Sequence, residues 1–461
     1  MKKLITTLLL LYIHIFAKLA LVNNRATFIG ITGSAGKTSA RDMLFAILKD
    51  KYHTYAITKG NSENGVALGI LGLKVESIGF SSLHKSIKDW LRILILAPTR
   101  LRYLQQYDYV LVEMGIDDPF LPKNMSYLLD IVKPDIAVVL NAYGVHGENF
   151  EKVVSPPVTA EKIVTAIAQE KCKIVTENPR CRFAVFNSDN KPVRNILEKV
   201  AMEKGTFGKD SINKVSYASY NVSTHATHFS YLVRDGETHQ KLAISIKQYV
   251  LPEVYQETCA AALVVALYLG IKPADSKAAL EKNFSMEPSR SSVLKGIEDS
   301  LIIDSSYNAS PEAMHTLIRL AFELKKQTHR PLVFVLGDMR ELGTAAKQRH
   351  EELADTIADM ADYLYTVGPL MEKHIYQRLI GNKKYKDLKA FSSPHDAGKY
   401  LKKHPVKNAI MLFKGSQNTI FLEEAIKYVL ADPHDTTYLT RQEDYWLRRK
   451  QFTLTKDLGI V

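Results

Sequence analysis

From Thr27 onward, short runs of β-branched and aliphatic residues alternate with longer stretches of helical periodicity. That alternation predicts a mostly parallel sheet with helices on both faces. The expected strands are ATFIGIT (26–32), YVLVEMG (109–115), IAVVLNA (136–142) and RFAVFNS (182–188), each stopping at Gly, Asn or Ser. Loops leaving such strand ends are where open α/β sheets bind ligands. Residues 214–246 read as β-hairpin material with a turn at Arg234-Asp235-Gly236. ETCAAALVVALYLG (257–270) reads as a helix stopped by Gly270. A second α/β unit begins at LIIDSSYNAS (301–310) and continues through PLVFVLGD (331–338), YLYTVG (363–368) and AIMLFKGS (409–416), with a hinge expected near 293–300.

The two ends depart from this pattern. Residues 4–22 are apolar apart from His14 and Lys18, and no A-x-A cleavage site follows, which argues against a cleaved signal peptide. Three readings stay open: an interfacial helix, a signal-anchor, or a helix packed on the protein's own core. Residues 76–106 are basic and partly amphipathic, either a second membrane-contacting patch or a surface helix. The tail 441–461 is charged with embedded aromatics and reads as a surface helix.

At 461 residues the chain has room for about three domains. Three cysteines (Cys172, Cys181, Cys259) form no CxxC and no disulfide framework, which fits a reducing cytoplasm. A net charge of +12 points to anionic partners without choosing among nucleotides, phosphates, nucleic acid and membrane. No RRM, KH or helix-turn-helix string is present, so nucleic acid is not expected as a partner.

The sharpest chemistry lies in GITGSAGKTS, residues 30–39, between an expected strand and an expected helix. Glycines let backbone N–H groups approach phosphate, and the helix N-terminus adds its dipole. Gly33, Ser34, Ala35, Gly36, Lys37, Thr38 and Ser39 are therefore expected to hold ATP, with Lys37 on the β- and γ-phosphates and Thr38 on Mg²⁺. Glu113 and His146 each lie at or just past a strand end, where a carboxylate and a neutral imidazole suit a metal. Taken alone, such a carboxylate can equally cap a helix, and a lone histidine is more often structural.

The glycines stand at 30, 33 and 36, whereas the generic phosphate loop would place one at Ile31. GITGxxGKT resembles the loop of the Mur ligases. Glu113 and His146 match that family's magnesium residues, Lys162 in PVTAEKIVTAI matches its carbamylated lysine, and Asn187 and Asp189 match its Asn-x-Asp turn. IIDSSYNASPEAM (302–314) resembles the family string DDSYNASPxSM, with Ser305 in place of the second Asp. Asp304 would bond a ribose hydroxyl, Asn308 would point at phosphate or adenine, and Arg290 in EPSRSS would clamp the triphosphate. VLGDMRELG (335–343), His350 and LFKGSQN (412–418) also resemble the family, which makes Lys414 and Ser416 candidate substrate residues. Gln417 stands where the family has Arg, and LPEVYQE (251–257) where it has Gly-x-His-Asn.

The resemblance spans roughly residues 27–430 and leaves out the family's N-terminal domain for the uridine diphosphate end of the substrate. It implies residues 1–25 as an apolar helix, 26–295 as a central P-loop ATPase domain, 296–432 as a C-terminal Rossmann-like α/β domain and 433–461 as a charged tail. The implied protein is a cytoplasmic, monomeric, ADP-forming ligase using ATP and Mg²⁺, with peripheral membrane contact through residues 1–22. It would join D-alanyl-D-alanine to a UDP-muramoyl tripeptide through an acyl phosphate. Lys37, Glu113, His146 and Lys162 would be catalytic, Thr38, Glu113, His146 and Lys162 would hold metal, and the C-terminal domain would close over ATP. A related ligase such as a folylpolyglutamate synthase, or a membrane-associated P-loop NTPase, are the competing readings.

Overall fold

The computed structural model describes residues 2–58, 63–73, 87–144, 147–236, 238–340, 342–416 and 419–457. Two compact units emerge: residues 1–220, 229–244 and 254–285 form the first, and 221–228, 245–253 and 286–461 the second.

The first unit is built on a sheet of order β2-β3-β1-β4-β5-β6-β7-β8-β9. Its strands are β1 (Thr27–Thr32), β2 (Thr54–Ala56), β3 (Tyr109–Glu113), β4 (Ile136–Val139), β5 (Phe183–Asn187), β6 (Glu203–Gly208), β7 (Val215–Val222), β8 (Ala226–Asp235) and β9 (Thr238–Lys247). β1 runs parallel to both β3 and β4, and parallel pairing continues through β5 and β6 to β7. The four expected strands form as read, each buried along nearly its whole length. Such burial on both faces explains their continuous apolar runs. β2 and β6 are short or carry polar residues and left no comparable signature.

The second unit has the sheet order β10-β11-β15-β12-β13-β14. Its strands are β10 (Ser292–Lys295), β11 (Leu301–Ser305), β12 (Leu332–Gly337), β13 (Tyr363–Val367), β14 (Asp387–Phe391) and β15 (Ile410–Lys414). β10 pairs antiparallel with β11 while the other pairs are parallel. The expected hinge at 293–300 is thereby corrected. Residues 292–295 are committed to backbone pairing in register with 301–304, inside the second unit's long segment that begins at Met286.

The N-terminal helix, Lys2–Leu21, buries Ile13, Ala17 and Ala20 in the first unit's core. His14 Nε2 lies 2.9 Å from Asp130 and Lys18 donates to the same carboxylate at 2.9 Å. One face of the helix is therefore packed on the protein's own core, while Leu8, Leu11, Ile15 and Leu19 remain exposed on another. No helix among the described residues is long and apolar enough to cross a membrane. Of the basic segment, 76–86 lie outside the described residues, and 87–99 form the helix Ile87–Thr99.

Candidate functional site

β1 ends at Thr32, the chain turns through 33–36, and the helix Lys37–Leu48 begins. Gly36 adopts φ 84°, a left-handed conformation, and a Cβ there would lie 2.7 Å from Thr258 Cγ2. A Cβ on Gly33 would lie 3.0 Å from Leu140 Cβ and 3.1 Å from the Ala35 carbonyl oxygen. The glycines are thus demanded by the left-handed turn at Gly36 and by the close approach of the helix Tyr255–Tyr268 and of Leu140 just past β4. No side chain caps this helix, so its first N–H groups are available to an anion.

Asn141, at the end of β4, holds the loop in shape. Its carbonyl accepts from Ser34 N at 3.1 Å, its Oδ1 accepts from Ala35 N at 2.9 Å, and its Nδ2 donates to Ala35 O at 3.3 Å. Ser34 Oγ in turn accepts from Tyr143 N at 2.9 Å. Lys37 Nζ donates to Gly33 O at 2.7 Å. Burial lowers its pKa, against the opposing charges of Glu113 and Asp117.

Thr38 Oγ1 donates to Glu113 Oε2 at 3.1 Å, so the structure unites these two predicted metal residues. The other carboxylate oxygen accepts from Arg41 NH1 at 2.6 Å, and Arg41 is itself fixed on Asp42 and the Ile57 carbonyl. Arg41 was not singled out in the sequence; it lies one helical turn past Lys37, where a basic residue ordinarily reads as surface. His146 lies outside the described residues. Among the described residues no three His, Cys, Asp or Glu side chains form a ready metal cage. A hydroxyl beside a carboxylate is nonetheless the donor set Mg²⁺ takes together with water and phosphate oxygens.

Lys162 is corrected by its placement. It is exposed in the first turn of the helix Ala160–Thr176, and its Nζ donates to the Ser155 and Pro157 carbonyls at 3.1 and 3.0 Å. The lysine that faces inward is Lys171, nine positions or about 13 Å of helix rise further on. Lys171 is 2% exposed, and burial and the nearby Lys37 charge bring its pKa down to about 7, against Asp117. The sequence did carry a signal. Lys171 shares the buried stripe of Ile167, Ala168, Ile174 and Val175, where a cation is out of place.

Asn187, at the end of β5, is buried; its Oδ1 accepts from Asp189 N at 2.9 Å, and its side chain bonds Glu257. Glu257 also receives Asn141 Nδ2 at 3.5 Å, yet burial still raises its pKa. Burial with the Glu257 charge pushes Tyr143 up to about 12. A polar patch thus continues from the phosphate loop to the Ala-rich helix Tyr255–Tyr268.

In the second unit, Asp304 closes β11 fully buried, accepting from Ser289 Oγ at 2.6 Å and Ser306 N at 3.0 Å. Burial pushes it up to about 6 despite these bonds. Asn308 is exposed on the following turn, its Oδ1 accepting from Ala309 N. Arg290 lies 4.5 Å from the Tyr307 ring centroid and 3.2 Å from Glu287. Lys414 meets expectation only in part. It is buried, burial drops its pKa to about 7, and its ammonium donates inward to Asn308 O at 2.8 Å and Ser305 Oγ at 3.3 Å. It therefore serves the loop, and Ser305 is its acceptor. Ser416 is also buried, its N–H donating to Asp338 O at 3.1 Å. His350 accepts from Met339 N and donates to Ala346 O, so it ties the GDM string to the helix Ala346–Ile357.

The tail is more than a surface helix. Arg441 donates to the Ser306 and Tyr307 carbonyls at 3.0 and 3.1 Å while pairing with buried Glu423, and Lys450 pairs with Glu423 and Glu424. Arg441→Met should leave Glu423 short of a partner and cost about 3–5 kcal/mol. Denaturant unfolding checks this; adding Glu423→Gln should recover part of the loss.

Asp304 supplies a pH test. Its pKa is raised from about 3.9 to about 6, so its contribution to stability is present below pH 4 and lost as pH rises through 6. Asp304→Asn should therefore gain on the native protein by up to about 3 kcal/mol between pH 4 and 7. Unfolding curves across that range measure the difference.

A strand–glycine loop–helix unit with a paired Thr and Glu, followed by a second, mostly parallel α/β unit, is the architecture of a P-loop nucleotide-binding protein. Residues 31–251 match the Mur ligase middle domain and residues 289–417 the Mur ligase glutamate ligase domain. The chain belongs to the Mur ligase family and is an ATP-dependent ligase. It is 24% identical over 406 residues to the UDP-N-acetylmuramoyl-tripeptide–D-alanyl-D-alanine ligase of Bacillus subtilis (strain 168), covering 88% of this chain and 76% of that one. The enzyme of the same name from Rickettsia prowazekii (strain Madrid E) is 25% identical over 412 residues, covering 88% and 78%. Among solved structures, the MurF ligase of Thermotoga maritima in complex with ADP superposes with TM-score 0.67 at 23% identity, over 91% of this chain and 83% of that one.

Proposed function

We propose that the protein joins D-alanyl-D-alanine to a UDP-muramoyl tripeptide in peptidoglycan precursor synthesis, as a cytoplasmic monomer using ATP and Mg²⁺. A carboxylate is a poor acyl donor because its charge repels nucleophiles and oxide leaves badly. In the first step the donor carboxylate attacks the γ-phosphorus, ADP departs, and an acyl phosphate forms. In the second, the acceptor's amine attacks the carbonyl carbon and loses its proton, and inorganic phosphate leaves.

The chain's own groups act chiefly by position and charge. Residues 33–39 present N–H groups to the phosphates, and Lys37 balances charge on the transferring phosphoryl group. Thr38 and Glu113 would hold Mg²⁺, which supplies neutralisation of the phosphate oxygens. Arg41 fixes Glu113 in place and Asn141 fixes the loop. Arg290, Asp304 and Asn308 are the second unit's candidates for nucleotide contacts, and Asn187 is the first unit's further candidate.

The observation that supports this reading most is the pairing of Thr38 with Glu113 beside Lys37, in a chain spanning about three quarters of relatives that bear that activity. The test supplies ATP, Mg²⁺, the tripeptide donor and the dipeptide. Phosphate should be released only when both substrates are present. Release that ignores the dipeptide, or needs another amine, contradicts the reading.

A further inference from the structure

The N-terminal helix buries one side and leaves the other dry-natured but wet. Leu8, Leu11, Ile15 and Leu19, spaced by three and four residues, all lie on its exposed side, between 47% and 57% exposed. Beside it, the helix Ile87–Thr99 buries Ile93 and Ala97 and exposes Leu91 at 53% and Ile95 at 69%. Tyr12 Oη donates to Leu94 O at 2.8 Å and ties the two helices together. Six large aliphatic side chains facing water on neighbouring helices exceed the scattered apolar exposure of an ordinary surface.

We propose that this face docks on an anionic phospholipid bilayer, with the N-terminal helix lying in the interface. Charge selects the occupant. Residues 1–25 and 87–102 contain eight Lys and Arg against one Asp, and counting Asp130, which pairs with Lys18, the surface keeps a net +6. A second copy would bring the same basic patch against itself, since a two-fold interface pairs like with like. Lipid headgroups of negative charge complement it, and apolar side chains at helical spacing flanked by basic residues are the signature of an interfacial helix. No helix among the described residues can span the bilayer, so the contact is peripheral. The proposal stands independently of the ligation chemistry.

Full-length protein is sedimented with vesicles of equal parts phosphatidylglycerol and phosphatidylcholine, and with phosphatidylcholine alone. It should pellet with the first and not the second, and added salt should release it. Ile15→Glu and Ile95→Glu should each weaken binding about tenfold or more. Thermal melting confirms that each variant remains folded. Native protein left in the supernatant with both vesicles overturns the proposal. So does an Ile15→Glu, Ile95→Glu double variant that pellets like the native chain, or light scattering that shows a dimer dissociated by these substitutions.

Discussion

Lys37→Ala is expected to lower ATP-dependent ligation by about 10²–10³-fold. The lysine sits over its own loop, donating to Gly33 O, with Glu113 and Asp117 as its charge partners. Without it, charge on the transferring phosphoryl oxygens meets no side-chain cation from this loop. The fold should not suffer, because burial already disfavours the charged ammonium and removing it sheds that cost. Lys37→Arg should fail as well, since a planar fork cannot replace a compact ammonium in a tight loop. Steady-state rates together with a thermal melt check the pair of expectations. A variant that loses activity and melting temperature together would assign Lys37 to architecture instead.

The second large effect is expected at Lys171. Burial and the Lys37 charge bring its pKa down to about 7, which makes free amine far more available at neutral pH than in an ordinary lysine. A neutral amine adds to dissolved CO₂, forming an N–C bond and releasing one proton, and the product is an anionic carbamate. That anion would relieve the repulsion between Lys171 and Lys37 and provide an oxygen ligand toward Mg²⁺. Protein equilibrated with ¹³C-bicarbonate should show a carbamate carbon resonance that vanishes in Lys171→Met. The same variant should lose about 10²-fold or more in ligation rate. Removing CO₂ should slow the native enzyme and leave the variant unchanged. No carbamate signal and an unaltered variant would return Lys171 to a plain buried lysine.

The contrast between Lys162 and Lys171 shows what a linear reading resolves and what it misses. The phosphate loop was legible because a strand, spaced glycines and a helix start must be consecutive to work, so the whole device is written locally. Thr38 and Glu113 were legible as separate strand-end and loop residues; their 3.1 Å contact is a product of β1 and β3 pairing in parallel. Lys162 matches the family's lysine only by its position along the chain, and nine residues of helix separate it from the inward-facing Lys171. Periodicity on that helix, applied to the charged positions as well as the apolar ones, points to Lys171.

The remaining misses share a different cause. Arg41, Asn141 and Arg441 act by bonding backbone groups or carboxylates distant in sequence, and no local pattern announces such partners. Asn141 reaches back 106 residues to Ala35, and Arg441 reaches 135 residues to Ser306. The second unit's edge strand β10 was hidden because four residues with a serine start look like a linker. Pairing with β11 makes it a strand.

The most direct test of the account follows oxygen. Donor tripeptide labelled with ¹⁸O in its reacting carboxylate is incubated with ATP, Mg²⁺ and D-alanyl-D-alanine, and the phosphate released is examined by mass spectrometry. An acyl phosphate formed at the Lys37 loop carries one carboxylate oxygen into each phosphate, so every phosphate should hold a single ¹⁸O, and Lys37→Ala should release such phosphate about 10²–10³-fold more slowly. Unlabelled phosphate alongside amide product would contradict the acyl-phosphate route, and phosphate without amide product would contradict ligation itself.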